Sequence, residues 1–194
     1  MNFRRPSPFA FVALLAVAAC RGDALGGLKP TQGTETDSFT VYALTGTPET
    51  YPTTYVAAAR NVGIMDGGGN FDIAFDIDAQ GKVIVYPMRL VVSPITPFRY
   101  VGLLKGNGTF DAITRAPNSG YLTDKSITLS PGEVVILQTA RNTGNNICVY
   151  GISPYIFAKI GIDSVDLKQR SIFFKATVNP NCGFRSFKAG IPTD

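Results

Sequence analysis

The chain has 194 residues, 45% of them hydrophobic, with 18 basic against 14 acidic side chains. That length suffices for one domain with a real core, while a net charge of +4 falls short of the basic footprint of a nucleic-acid binder. Histidine is absent, which excludes Ser-His-Asp and Cys-His nucleophile systems, the histidine-containing zinc sets and the commonest general base near neutral pH.

The chain opens Met1-Asn2-Phe3-Arg4-Arg5 and passes Pro6 and Pro8 into an uncharged run, Phe9 to Ala19, that ends at Cys20. As a helix this run would cover only ~16 Å, short of the about 20 apolar residues that a spanning helix needs. It reads as a targeting segment, outside the fold. The two arginines, the short apolar stretch and Val17-Ala18-Ala19-Cys20 resemble the signal peptide of bacterial lipoproteins, whose last residue becomes the acylated N-terminus. The resemblance covers residues 1–20. It implies removal of residues 1–19 and lipid on Cys20. The protein would then lie in the cell envelope, facing the periplasm, with membrane lipid as its first partner. Arg21, rather than Asp, after the cysteine favours the outer over the inner membrane. One acyl chain holds a protein only marginally, whereas such a cysteine carries several. Without Arg4 and Arg5 the net charge falls to +2.

Residues 20–37 are rich in Gly and Thr and read as a flexible tether; residues 38–194 then form a single domain. Phe39, Val41 and Ala43 alternate with Thr40, Tyr42 and Leu44, the period of a half-buried strand. Thr45 to Thr54 is a loop, and Tyr55 to Ile64 a second strand. The clearest element is Phe71 to Val92. Phe71, Ile73, Phe75 and Ile77 alternate with Asp72, Ala74, Asp76 and Asp78, and Asp78-Ala79-Gln80-Gly81 turns the chain back. A four-residue loop would set Ile77 against Lys82, Phe75 against Ile84 and Ile73 against Tyr86. Pro87 lacks an N–H, which places it at an edge or a bulge. Further strands are expected at 100–104, 126–129, 134–140, 147–150, 155–162, 164–167, 172–178 and 184–187. Thr109 to Ile113 is expected to form a short helical turn. Ser130-Pro131-Gly132-Glu133 is a turn. Short strands at this spacing predict an all-β protein, an antiparallel β-sandwich of immunoglobulin-like or jelly-roll-like kind, with a partly open barrel as the alternative.

With Cys20 given to lipid, Cys148 and Cys182 remain, and in an oxidising envelope they are expected to pair. Such a bridge would restrict the unfolded chain by ~3–4 kcal/mol. Asp66, Asp72, Asp76 and Asp78 form a candidate cation site or a solvated polar face. Calcium takes several carboxylate oxygens, but these aspartates miss the EF-hand spacing, and strand neighbours two apart are ~7 Å apart, so the solvated face is the favoured reading. Gly67-Gly68-Gly69 precedes a strand and no Gly-Lys-Ser/Thr follows, so it is a turn and not a phosphate cradle. Charge is segregated: residues 33–80 hold seven acids and Arg60, whereas residues 167–193 hold Lys168, Arg170, Lys175, Arg185 and Lys188 and no acid. Mutual neutralisation of the two segments is favoured over a basic contact patch for anionic lipid or an acidic partner.

These features lead to two expectations. The first is a non-catalytic, membrane-tethered envelope lipoprotein, an interaction module or accessory subunit with an envelope protein partner and no cofactor, metal or nucleic acid. The second is a ligand- or glycan-binding lipoprotein or a carboxylate-based hydrolase, which needs a pocket gathering Asp/Glu and Tyr.

Overall fold

A computed structural model describes residues 29–65, 69–92, 99–141 and 153–192. Its ten strands are β1 (Glu35–Tyr42), β2 (Thr54–Val56), β3 (Asn61–Gly63), β4 (Ile73–Ile77), β5 (Val83–Pro87), β6 (Arg99–Lys105), β7 (Ile127–Leu129), β8 (Val134–Arg141), β9 (Tyr155–Asp166) and β10 (Ser171–Asn179). They form two five-stranded antiparallel sheets, in the orders β1-β10-β9-β8-β6 and β3-β2-β4-β5-β7. The sheets pack face to face as a β-sandwich, the expected fold class, and the barrel alternative is not realised. The predicted strand at 147–150 lies outside the described residues, as do residues 1–28 and Asp66.

Alternation builds the main core. Ile156, Ala158, Ile160 and Ile162 on β9 and Ile172, Phe174, Ala176 and Val178 on β10 all turn inward and are buried. They meet Tyr55, Ile73, Phe75, Val83 and Val85 of the other sheet. Phe174 lies at its centre, its ring 5.0 Å from Phe75, 5.3 Å from Phe39 and 5.5 Å from Tyr55.

Several local expectations are corrected. The β4–β5 hairpin pairs Ile77 with Val83, Phe75 with Val85 and Ile73 with Pro87, one residue off the expected register, and so sets Asp76 opposite Ile84. The turn is the cause. The Asp78 amide donates to the Lys82 carbonyl and the Gly81 amide to the Asp78 carbonyl, with Gly81 at φ 79°. This is a three-residue loop closed by a left-handed glycine bulge. The bulge shifts the returning strand by one place, so Val83, Val85 and Pro87 face the core instead of Ile84 and Tyr86. Pro87 ends β5 beyond the three residues that β7 pairs, where its missing N–H breaks no ladder bond.

The expected strand 55–64 is two strands, β2 and β3, joined by a tight turn at 57–60 in which the Arg60 amide donates to the Ala57 carbonyl. Segments 155–162 and 164–167 are one strand, with a bulge opposite Phe173 and Phe174. Residues 184–187 form no strand. They make one bridge, Ser186 to Arg115, beside the connection between β6 and β7. β1 starts at Glu35, inside the stretch read as tether, because all of its eight residues find partners on β10.

The connection 106–126 and the C-terminal segment 182–192 cover the outer face of the first sheet. There Phe110, Ile113, Ala116 and Phe187 bury Val134, Ile136 and Phe157 in a second, smaller core. Within this strap the Ile113 amide donates to the Thr109 carbonyl, the expected helical turn.

Candidate functional site

The acidic residues that stood out in sequence are dispersed. Asp72 is 0% exposed, not solvated. One of its carboxylate oxygens accepts the Ala57 amide at 2.7 Å and the other the Thr139 hydroxyl at 2.9 Å. Its own amide donates to the Tyr55 carbonyl, and its carbonyl accepts the Met88 amide. Asp72 thus joins β2, the 57–60 turn and the short 3-10 turn Met88–Leu90 to Thr139 on β8 of the opposite sheet. Residue alternation hid this, because Asp72 precedes β4 and its side chain points into the gap between the sheets.

Asp76 does face outward, at one end of the sandwich. It accepts the Thr45 amide and hydroxyl, at 3.2 and 2.6 Å, and pairs with Arg170 at 3.2 Å. Arg170 also donates to the carbonyls of Thr45 and Ile77. Asp78 accepts the amides of Gln80 and Lys82 and shapes the hairpin turn. The expected solvated face is therefore a junction, a clasp and a turn. Among the described residues no group of three metal-ligating side chains gathers.

Arg170 reaches from the β9–β10 turn of one sheet to β4 of the other. At the opposite end of the sandwich Arg60 does the converse, pairing from the second sheet with Glu35 on β1 and lying 3.7 Å from Asp37. Both arginines take left-handed backbone angles, φ 49° and 53°, a conformation costly for a residue with a Cβ. Each closes a tight turn whose side chain then spans the sandwich. The Arg170–Asp76 pair is the neutralisation of acidic by basic segment expected from the sequence, whereas Arg60 neutralises acids of its own segment.

The five basic residues of the C-terminal third do not converge. Lys168 is exposed in the β9–β10 turn. Lys175 lies 3.8 Å from Asp163 and 4.7 Å from the centre of the Phe110 ring. Arg185 donates to the Ala116 carbonyl at 3.0 Å and so binds the C-terminal segment to the strap. Lys188 is exposed near the C-terminus.

The reading of the sequence missed Lys159. It lies in the middle of β9, only 5% exposed. Its ammonium donates to the carbonyls of Phe110 at 2.6 Å and Ile113 at 3.0 Å, and sits 4.1 Å from the centre of the Phe110 ring. Burial, more than anything else, holds its pKa below the ordinary lysine value; Lys175 adds to this and Asp111 opposes it. Two residues on, a Cβ on Gly161 would come within 2.7 Å of the Phe110 ring, so only glycine admits that ring. A signal was present: Lys159 is the single charge in Tyr155-Ile156-Phe157-Ala158-Lys159-Ile160-Gly161-Ile162.

Asn181 was also missed. Its side-chain oxygen accepts the amides of Thr31 and Gln32 at 2.9 and 3.1 Å, and its nitrogen donates to the Gln32 carbonyl at 2.8 Å. Asn179 donates to the Ser186 carbonyl and accepts from Asn181. The two asparagines fix both the point where the chain enters the domain and the C-terminal segment. Between them and Gly183, Cys182 packs on the main core. Cys148, its expected mate, lies outside the described residues, as does Cys20.

No helix among the described residues is long and apolar enough to cross a membrane. The chain matches no protein-family model, no curated protein and no solved structure.

Proposed function

We propose that this protein is a non-catalytic lipoprotein of the bacterial envelope, held at a membrane, preferentially the outer one, by an acylated Cys20. Its sandwich serves as an interaction module or accessory subunit of a larger membrane complex. The observation that carries this reading is the sequence Arg4-Arg5, Phe9 to Ala19, Cys20. What supports the non-catalytic part is the engagement of Asp72, Asp76, Asp78 and Arg170 in joining strands and turns, which removes them from any shared pocket.

In cells fed a clickable palmitate analogue, the wild-type chain is expected to take up label and sediment with membranes, and Cys20→Ser to lose both. Crosslinking in those membranes is expected to give one discrete stoichiometric adduct. An unlabelled wild-type chain would sink the anchor, and a labelled chain without an adduct would sink the accessory role.

In this reading Cys148 and Cys182 form a disulfide, since lipid occupies the third cysteine and the compartment is oxidising. The denatured, unreduced protein is expected to show no reactive thiol. Two would rule the bridge out.

A further inference from the structure

We infer that the end of the sandwich where the chain enters is a docking face for an anionic lipid bilayer, with Ile191 as its apolar contact and Lys29, Arg89 and Lys188 as its headgroup contacts. The inference rests on the lipid anchor proposed above. Asn181 holds Thr31 and Gln32 to the end of β10, so the anchored chain leaves the domain at a fixed point. Thr34 pairs with Gly190 beside it, which puts Lys188 and Ile191 next to that point. Ile191 is 60% exposed, and Lys29, Arg89 and Lys188 are exposed as well.

Charge distinguishes this end from the other. Among the described residues of this end, Glu35 and Asp37 are engaged by Arg60, and Asp72 lies in the core. Asp124 is followed by Lys125. At the far end Lys105 pairs with Glu133 at 2.8 Å and Arg170 with Asp76, and acidic residues share the turns with the remaining lysines: Asp78 and Asp166 accept the backbone amides of Lys82 and Lys168.

Reach favours the same end. However they run, the ten residue-to-residue steps from Cys20 to Pro30 span at most about 36 Å. The nine residues of β10 set the far end ~30 Å further away, so laying that end on the membrane would use nearly the whole length of the connection. With the anchor in the bilayer, basic side chains beside an exposed isoleucine add electrostatic attraction to shallow apolar insertion.

The chain contains no tryptophan, so a single introduced one reports on its own position. Ile191→Trp and Leu167→Trp, the latter at the exposed β9–β10 turn of the far end, are made in the full lipidated chain. Each is reconstituted into vesicles of phosphatidylglycerol and phosphatidylcholine with brominated acyl chains. The indole of the Ile191→Trp chain is expected to emit further to the blue and to be quenched severalfold more than that of the Leu167→Trp chain. It should lose much of that quenching in phosphatidylcholine alone or at high salt. Equal quenching in the two chains, when both float with the vesicles, would overturn the docking face and leave the anchor standing; an acidic protein surface would then be the partner to seek. A chain that carries no lipid and does not float would overturn both.

Discussion

Asp72→Ala is expected to lower the unfolding free energy by roughly 3–4 kcal/mol, measured as a fall in the denaturant midpoint. The substitution strands the Ala57 amide and the Thr139 hydroxyl in the core, and each unsatisfied buried donor costs about 1–3 kcal/mol. For a domain stabilised by about 5–15 kcal/mol in all, that is a large share. Asp72→Asn keeps the shape but has one acceptor oxygen for two donors, so a loss of about 1–2 kcal/mol is expected. Thr139→Val combined with Asp72→Ala should cost less than the sum of the two single changes, because the residues share one bond. If Asp72→Ala costs under about 1 kcal/mol, the carboxylate does not join the sheets in the way its geometry implies.

Lys159 carries the second large effect. Lys159→Ala removes a stem buried in the smaller core and leaves the carbonyls of Phe110 and Ile113 without their donor, a loss of roughly 2–3 kcal/mol. The loss should concentrate in the strap, so amide exchange is expected to quicken over residues 106–122 while β9 and β10 stay protected. Lys159→Met, which keeps the stem, should lose less.

The same residue fixes a pH dependence. Its pKa is lowered in the folded chain, so between that value and the ordinary one the unfolded chain binds more protons, and stability rises with pH across this window. Wild type is expected to gain stability relative to Lys159→Met as pH climbs towards 10. Above that, burial of the Tyr55 and Tyr121 phenols, which holds both protonated, withdraws stability from wild type and variant alike. A difference between the two proteins that stays flat from pH 7 to 10 would show that the ammonium is not held in a desolvated site.

Strand content was legible because alternation of apolar and polar residues is local, and β1, β4, β9 and β10 show it plainly. The register of the β4–β5 hairpin was not, since a single left-handed glycine at position 81 moves a whole strand by one place and exchanges its faces. The same rule of alternation misled at Asp72, one residue outside its strand. Of the candidate site residues, the sequence placed Asp76 and Arg170 in segments of opposite charge but could not pair them, for they are separated by 94 positions. Lys159 was visible as a lone charge in an apolar run. What satisfies it, two carbonyls of a strap crossing from one sheet to the other, is a property of the folded chain alone.

By itself, then, the amino-acid order determined the all-β class, the absence of histidine chemistry and the resemblance of residues 1–20 to a lipoprotein signal peptide, because each depends on neighbours in sequence or on composition. Only the tertiary structure decided what the charged residues do. Sheets stack through contacts between distant segments, so whether a carboxylate meets water, an arginine or a buried hydroxyl is settled when the two faces close. Here Arg60 and Arg170 clasp the sandwich at its two ends and Asp72 joins the sheets within it. That closure also determines which end of the domain adjoins the chain that leads back to Cys20.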